Sequence, residues 1–299
     1  MNRVTKYLRQ VARVAAGRVN AGRGLTVFPD DIFLVSYGRS GSTWARFLIA
    51  NLVNTDDPVT FLNVESRIPN IYIFPDRVLR RVLRPRILKS HEPFDHRYER
   101  IIYIVRDPRD LAVSLYHYDL KRGGLPEEYP MDDFVPLFVA GSERVISWGP
   151  WGEHILSWLS TRGGHDRFLL VRYEDLLENP KRELAKMTTL LGVDGSEENL
   201  VRAVELSSID RMKNLERQQS RQWIETKNTR QDKMFVRSGR RGEWQSVLSE
   251  KSVVAIETAF GPVMRSLGYE LTKETARRQP SLRSELGIFS HSLTQSSEA

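Results

Sequence analysis

The segment from Phe33 to Trp44 constrains the fold of this chain more than any other feature. It reads Phe33-Leu-Val-Ser-Tyr-Gly-Arg-Ser-Gly-Ser-Thr-Trp44. An apolar stretch enters a tight turn with Gly38 and Gly41, and two hydroxyl residues then begin an apolar-periodic helix. This layout aims backbone N–H groups and the positive end of a helix dipole at one anion. It predicts an α/β fold with a P-loop-like phosphate-binding turn.

The turn differs from the Walker loop of kinases and ATPases. The Walker pattern places a lysine directly before the Ser/Thr, where it reaches the terminal phosphates, and the hydroxyl then binds Mg²⁺. Here Ser42 precedes Thr43, and the cation is Arg39 at the front of the turn. The sequence therefore predicts a turn that binds phosphate without the Walker lysine and without Mg²⁺. A turn that serves packing alone is the alternative.

Composition limits the class of protein. The chain has 299 residues, 40% of them hydrophobic, which suffices for one large α/β domain or two small ones. The net charge of +7 favours an anionic ligand or surface, but no zinc spacing, RNP motif or basic heptad run supports nucleic acid. The chain has no cysteine, which excludes disulfides, thiolate nucleophiles and cysteine-ligated metals. We expect a cytoplasmic protein.

The two ends of the chain differ from its middle. Residues 1–29 carry six cations and no acid, without the apolar core of a secretory signal or of a membrane span. We interpret them as a basic leader, with a transit peptide or weak contact with a membrane surface as alternatives. Residues 272–299 are polar and are predicted to be disordered. The domain is then residues 30–271.

Strand-like segments alternate with helical ones at the spacing of a parallel sheet. The predicted strands are Ile32–Ser36, Arg86–Lys89, Arg100–Val105 and Arg167–Arg172, and the predicted helices are Thr43–Val53, Pro108–Tyr118, Gly152–Thr161 and Pro180–Leu191. Asp107 and Pro108 form a good N-cap and first helical position. The long loops 56–83 and 122–151 are expected to contact substrate or act as lids. We predict a single α/β domain with a central parallel sheet flanked by helices.

Lys89 and His91 lie at the end of a predicted strand. Residues two apart in an extended chain point to the same side, and the carboxyl ends of strands in open α/β sheets face the ligand crevice. A cation and an imidazole in that place suit an electrostatic clamp and a general base. A purely structural histidine is the alternative.

Two further segments carry candidate anion-binding residues. Arg106 ends a strand and Ser114 lies in the following helix, so together they offer a guanidinium and a hydroxyl to a second phosphate. Arg109 and Asp110 are instead expected to form a salt-bridged helix start. The loop Met234–Trp244 holds three arginines and two glycines, which suits an anion clamp, with a solvated turn as the alternative.

The order of these motifs resembles the cytosolic-type sulfotransferases, which use 3′-phosphoadenosine 5′-phosphosulfate (PAPS) as donor. The motifs are the turn ending in Ser-Thr-Trp, Lys-Ser-His, Val-Arg-Asp-Pro-Arg-Asp with a serine eight residues after its first arginine, Arg-Tyr-Glu-Asp-Leu, and Arg-Ser-Gly-x-x-Gly-x-Trp. The resemblance runs from about Asp30 to Tyr269 and leaves out the leader and the tail.

The resemblance implies a donor site and a catalytic group. The residues implied to bind the nucleotide are Arg39, Ser40, Gly41, Ser42, Thr43, Trp44, Arg106, Ser114, Tyr173, Ser207, Ile209, Met212, Phe235, Val236, Arg237, Ser238 and Gly239. The turn would hold the 5′-phosphosulfate, Trp44 would stack on the adenine, and Arg106 and Ser114 would bind the 3′-phosphate. His91 would be the catalytic base, with Lys89 and Arg39 beside the transferred sulfuryl group and no metal.

The chain departs from the family pattern at several positions. Arg39 stands where the family usually has lysine, and arginine stabilises charge but is not a proton donor at pH 7. Ser238 replaces a second lysine, and Ile209 replaces an aromatic residue on the adenine side. The dimer motif of the animal enzymes is absent, since its positions read Gln245, Ser249-Glu250 and Val254. The oligomeric state is left open.

The predicted function is sulfuryl transfer from PAPS to a hydroxyl or amine of a small amphiphilic acceptor, such as an alcohol, phenol, sugar or lipid headgroup. The long loops would form the acceptor pocket with the aromatic residues Tyr118, Phe134, Phe138, Trp148 and Trp151. Two alternatives remain open. One is a P-loop-type phosphotransferase, and the other is a non-enzymatic protein that binds anions or membranes.

Overall fold

Four parallel strands form the centre of the fold. The computed structural model describes residues 20–273 and residue 275. The strands are β1 (Ile32–Ser36), β2 (Ile87–Ser90), β3 (Arg100–Val105) and β4 (Phe168–Arg172). They pair in the order β2-β1-β3-β4, and every pairing is parallel. The central strand β1 is buried along its whole length, as expected of a parallel strand with both faces covered.

Helices pack on both faces of this sheet. They are α1 (Ser42–Val53), α2 (Val64–Arg67), α3 (Asp76–Leu79), α4 (Pro108–Arg122), α5 (Met131–Val139), α6 (Trp151–Arg162), α7 (Tyr173–Glu178), α8 (Pro180–Leu191), α9 (Glu197–Leu206), α10 (Ile209–Gln219), α11 (Trp244–Val247) and α12 (Glu250–Ser266). One apolar cluster joins Phe33 and Tyr103 to Trp158. The other joins Leu34 to Phe47 and Met187.

The structure confirms the predicted fold class and refines its elements. Two strands, β1 and β3, have the predicted bounds, and the other two begin one residue later than predicted. Helix α4 continues to Arg122, past the predicted end at Tyr118. The interpretations of 56–83 and 122–151 as long loops are wrong, because α2 and α3 lie inside the first and α5 lies inside the second. The Asp107 side chain caps α4 as predicted, accepting from the Arg109 N–H.

The described parts of both chain ends pack on the domain. Ala21 donates to the Phe74 carbonyl oxygen over 2.9 Å, and Leu25 is buried. Thr272 donates its N–H to the Glu257 carboxylate. Residues 1–19 of the predicted leader, and the predicted tail beyond residue 273 except residue 275, lie outside the described residues.

The strand order creates one crevice at the carboxyl edge of the sheet. From β1 the chain moves to β2 on one side and then crosses to β3 on the other, so the direction of strand order reverses beside β1. Ligands of open α/β sheets bind at such a switch point. All four strands deliver a predicted site residue there: the turn after β1, His91 after β2, Arg106 after β3 and Tyr173 after β4.

Gly41 fixes the shape of the turn between β1 and α1. Its φ of 96° lies in the left-handed region, and it is the N-cap residue of α1. A Cβ at this position would lie 2.4 Å from Cδ2 of Tyr173. The close approach of the turn to the Tyr173 ring therefore requires glycine.

We predict that Gly41→Ala destabilises the protein more than a matched glycine substitution does. Gly123→Ala is the control, because Gly123 has a φ of 72° but no atom within 4 Å of an added Cβ. We expect the control to lose about 1 kcal/mol of unfolding free energy from backbone strain, and Gly41→Ala about 2 kcal/mol more from overlap with Tyr173. Urea unfolding followed by tryptophan fluorescence measures both, and equal losses would contradict this account of the turn.

Candidate active site

A cavity of about 390 Å³ opens at the carboxyl edge of the sheet. Nearly all predicted site residues line it, including His91, Lys89 and Arg39. The two exceptions are Ser40 and Ser207, which are fully buried outside the lining. Ser207 still fixes a residue of the cavity wall, because its carbonyl oxygen accepts a hydrogen bond from Nε1 of Trp44 over 2.9 Å.

Arg39 is half-buried and forms no ion pair with a carboxylate of the described residues. Its guanidinium lies 4.7 Å from the ring centroid of Tyr118 and 4.3 Å from that of Phe235, and it donates to the Phe235 carbonyl oxygen over 3.1 Å. Its Nε lies 3.4 Å from Oγ of Ser114, so the side chain extends toward the predicted 3′-phosphate residues. Burial lowers the pKa of Arg39 to about 10, which leaves it charged at pH 7.

Arg106 is available to an anion. Its Nη1 donates to the Arg39 carbonyl oxygen over 3.2 Å, and its guanidinium lies 4.5 Å from the centroid of the Tyr173 ring. Its Nε is buried and has no hydrogen-bond partner among the described residues. A buried charged donor without a partner is costly, so an anionic ligand fits this position.

Arg237 and Ser238 line the cavity but are held by an internal carboxylate. Both guanidinium arms of Arg237 are hydrogen-bonded to Glu243, and Oγ of Ser238 donates to Glu243 over 2.8 Å. Sequence reasoning did not foresee this partner. An anion that binds at Arg237 therefore competes with Glu243 for it.

The expectation for Arg109 and Asp110 is half right. Arg109 pairs with Asp107 over 2.7 Å and with Glu257 over 2.6 Å, which stabilises the start of α4. Asp110 instead accepts from the N–H groups of Gly242 and Trp244, over 2.6 and 3.0 Å. It thus anchors the basic loop Met234–Trp244 to the start of α4.

His91 is held in one tautomer. Its Nδ1 lies 2.7 Å from the Ser36 carbonyl oxygen, which can only accept, so Nδ1 carries the proton and Nε2 has a free lone pair. The ring lies against Tyr72 and Trp148, at centroid distances of 6.0 and 4.6 Å. Burial, and then the charge of Lys89, lower the pKa of His91 well below its usual value. The imidazole is therefore neutral at pH 7 and able to accept a proton.

Several cavity residues were not identified from the sequence. Asn70 and Tyr72 lie between α2 and α3, and Glu225 follows α10 and lies 3.4 Å from Nζ of Lys89. None of the three belongs to a recognisable motif. Only their position in the folded structure identifies them as residues of the cavity.

The aromatic acceptor residues were predicted only in part. Tyr118 and Trp148 line the cavity. Phe134, Phe138 and Trp151 do not, and their assignment to the pocket is wrong, because helices α5 and α6 bury all three in the core. Among the described residues, no group of three or more His, Cys, Asp or Glu side chains is arranged to hold a metal ion.

Comparison with known proteins agrees with this arrangement. A family model of the sulfotransferase domain matches residues 29–268. The chain belongs to the sulfotransferase family. Sulfotransferase 1B1 of Canis lupus familiaris is 28% identical over 234 residues, which cover 73% of this chain and 78% of the relative. Sulfotransferase 2B1 of Homo sapiens is 28% identical over 253 residues, which cover 80% and 67%.

Solved structures of two enzymes share the fold. Retinol dehydratase in complex with androsterone and the inactive cofactor PAP superposes with a TM-score of 0.68, at 22% identity over 84% of this chain and 85% of that one. A mouse sulfotransferase complexed with PAP gives a TM-score of 0.64, at 24% identity over 82% and 88%. The phosphotransferase and the purely binding alternatives have no support from these comparisons.

We predict that the imidazole of His91 in this sulfotransferase is neutral at pH 7 and above. A histidine whose pKa is lowered loses its proton at a lower pH than a free one, so the acidic transition of His91 must lie below 6.5. Two-dimensional NMR of the histidine Cε1–H groups measures this, and the His91→Gln spectrum assigns the resonance among the six histidines. A His91 pKa at or above 6.5 would contradict the assignment of this ring to a buried position beside Lys89.

Proposed function

We propose that this sulfotransferase moves the sulfuryl group of PAPS to a hydroxyl or amine of a small acceptor, with His91 as general base. The observation that carries the proposal is the free Nε2 of a neutral, buried imidazole in the same cavity as the anion-binding turn. The family membership supports the same reaction.

The cavity residues suit the donor. Backbone N–H groups of the turn and of the start of α1 are oriented for the 5′-phosphosulfate. The unpartnered Nε of Arg106 and the hydroxyl of Ser114 suit the 3′-phosphate, and Arg237 and Gly239 line the same cavity. Trp44 and Tyr173, whose ring centroids lie 6.0 Å apart, suit the adenine.

The chain's own groups can perform the transfer. When bound, PAPS supplies an activated sulfuryl group with a phosphate as leaving group. Nε2 of His91 takes the proton of the acceptor hydroxyl while its oxygen forms the new bond to sulfur, and the bond from sulfur to the phosphate oxygen breaks. Lys89 and Arg39 stabilise the negative charge on the sulfuryl oxygens and the departing phosphate.

The acceptor side of the cavity favours an aromatic or amphiphilic molecule. Trp148 and Tyr72 both lie against the His91 ring, with their own centroids 5.8 Å apart, and Tyr118 lines the same space. Aromatic walls bind flat apolar groups and leave the acceptor hydroxyl to the polar end of the pocket. We propose a phenol or an amphiphilic alcohol, with a sugar or lipid headgroup as the alternatives to be tested.

We predict that His91→Ala removes transfer but keeps donor binding. The loss of a general base lowers the rate by about 10²–10⁴-fold, whereas the imidazole contacts none of the nucleotide-binding residues proposed above. Radiolabelled sulfate transfer from PAPS to a panel of phenols and alcohols measures the first effect. Calorimetric titration with 3′-phosphoadenosine 5′-phosphate (PAP) measures the second. If His91→Ala abolishes both, the histidine is structural and the assignment fails.

We also propose a cytoplasmic location with weak contact to an anionic membrane through the basic residues 1–29. The first described residue, Asn20, pairs with Pro75, just before Arg77–Arg84, which holds four arginines and no acid. Of these four, Arg84 pairs with Asp30. Within that stretch Leu83 is 89% exposed. An exposed leucine among arginines suits an anionic lipid surface. None of the described helices is long and apolar enough to span a membrane.

We predict that the full chain sediments with vesicles of phosphatidylcholine and phosphatidylserine, but not with phosphatidylcholine alone. Each cation near such a surface contributes about 1 kcal/mol, so Arg81→Glu should weaken binding at least about fivefold. Leu83→Asp should weaken it as well. Leu156→Asp is the control, because Leu156 is 43% exposed on α6, away from the arginine stretch. Membrane contact would be contradicted by binding that does not depend on vesicle charge. It would also be contradicted by an equal loss of binding in all three variants.

A further inference from the structure

Glu225 is a buried carboxylate next to the reacting groups. It lies on the segment after α10, and its Oε1 is 3.4 Å from Nζ of Lys89. The same oxygen accepts from Nδ2 of Asn70 over 3.1 Å and lies 3.5 Å from Nη1 of Arg46. Its side chain is 11% exposed. Glu225 is therefore the carboxylate in contact with the single lysine that lines the described cavity.

A second carboxylate, Glu65, belongs to the same charge network but serves the scaffold. It lies 2.7 Å from Nη2 of Arg46, and its Oε2 accepts from the Asn70 N–H over 2.9 Å. Arg46 in turn donates to the Ile68 carbonyl oxygen over 2.6 and 2.9 Å. The network holds two cations and two carboxylates, so it is balanced. Glu65 does not line the cavity, and none of its contacts reaches Lys89.

A lysine side chain has four rotatable bonds, so its ammonium needs a partner to occupy one place. In the described structure Glu225 is the only residue paired with the Lys89 ammonium. We propose that Glu225 is a positioning residue that holds the Lys89 ammonium charged and oriented toward the transferring sulfuryl group. This inference rests on the proposed function.

The electrostatics agree with this role. Burial lowers the pKa of Lys89, and Arg46 adds to this effect, whereas Glu225 and Glu65 oppose it. Burial alone would raise the pKa of the Glu225 carboxyl, but the charges of Lys89 and Arg46 lower it to about 2. Removing Glu225 thus removes the main group that keeps Lys89 protonated. The nearby His91 is neutral and does not replace it.

The donor itself provides a test that needs no acceptor. PAPS and PAP differ only in the sulfuryl group, so the ratio of their dissociation constants reports the contacts made to that group. We expect Glu225→Gln to weaken PAPS binding about tenfold, the effect of losing one oriented charged hydrogen bond, and to leave PAP binding unchanged. Glu65→Gln is the matched control, because it removes the other carboxylate on Arg46, which has no direct contact with Lys89, and should weaken PAPS binding much less than Glu225→Gln does.

A double-mutant cycle shows whether Glu225 acts through Lys89. Lys89→Met should weaken PAPS binding as much as Glu225→Gln does, and combining the two should add nothing. The pH dependence gives a second readout. The preference for PAPS over PAP should be lost at a lower pH in Glu225→Gln than in the wild type, because its Lys89 gives up the proton earlier. Glu225→Asp, which keeps the charge, should restore part of the preference.

Three results would overturn the inference. They are an unchanged PAPS preference in Glu225→Gln, an equal loss in Glu65→Gln, and an additive effect in the double variant. Failure of the proposed function looks different, since the wild type would then bind neither nucleotide. Thermal unfolding of each variant identifies any loss that comes from misfolding, and Glu225→Asp extends the test if Glu225→Gln does not fold.

Discussion

The fold depends on one constraint. Four parallel strands bring cationic and hydroxyl groups to the carboxyl edge of the sheet, and the turn that follows β1 there must be tight. The switch in strand order beside β1 creates the crevice, and the left-handed Gly41 lets the turn come against Tyr173. Arg39 is itself left-handed, with a φ of 69°. A non-glycine residue in this region is strained, and such strain concentrates at ligand sites. The packing of Tyr173 against the turn, and of β1 and α1 on either side of it, holds the turn in this shape.

Charge is distributed unevenly around the cavity. Arg46 and Lys89 have buried carboxylates beside them, and Arg237 has Glu243. Arg39 and Arg106 have aromatic rings and carbonyl oxygens instead of acids. A buried cation without a counterion is costly, so these two arginines favour a bound anion. The paired cations, in contrast, are fixed in place. The two unpaired arginines are thus free to contact the donor, whereas Lys89 is held in one place beside His91.

The sequence sufficed for the sheet and for most of the site, because both depend on local patterns. Apolar runs gave β1 and β3, and the motif order placed nearly all site residues on the cavity. Prediction from the sequence failed where tertiary packing determines the role of a residue. Phe134 was taken for a pocket residue because aromatic side chains suit both a pocket and a core. Glu225 was missed because it belongs to no motif, and its role arises only when segments far apart in the chain meet. Glu243 was missed because it occupies a variable position of the Arg-Ser-Gly-x-x-Gly-x-Trp motif, and its pairing with Arg237 depends on how that loop folds.

The most direct test of the account is a thermal-shift titration of the full chain with PAP, ADP and ATP, each with Mg²⁺ and with EDTA. The account predicts a rise in melting temperature with PAP that EDTA does not reduce, and a much smaller rise with ADP, because Arg106 and Ser114 are assigned to the 3′-phosphate. A response to ATP that requires Mg²⁺, or no response to any of the three nucleotides, would contradict it.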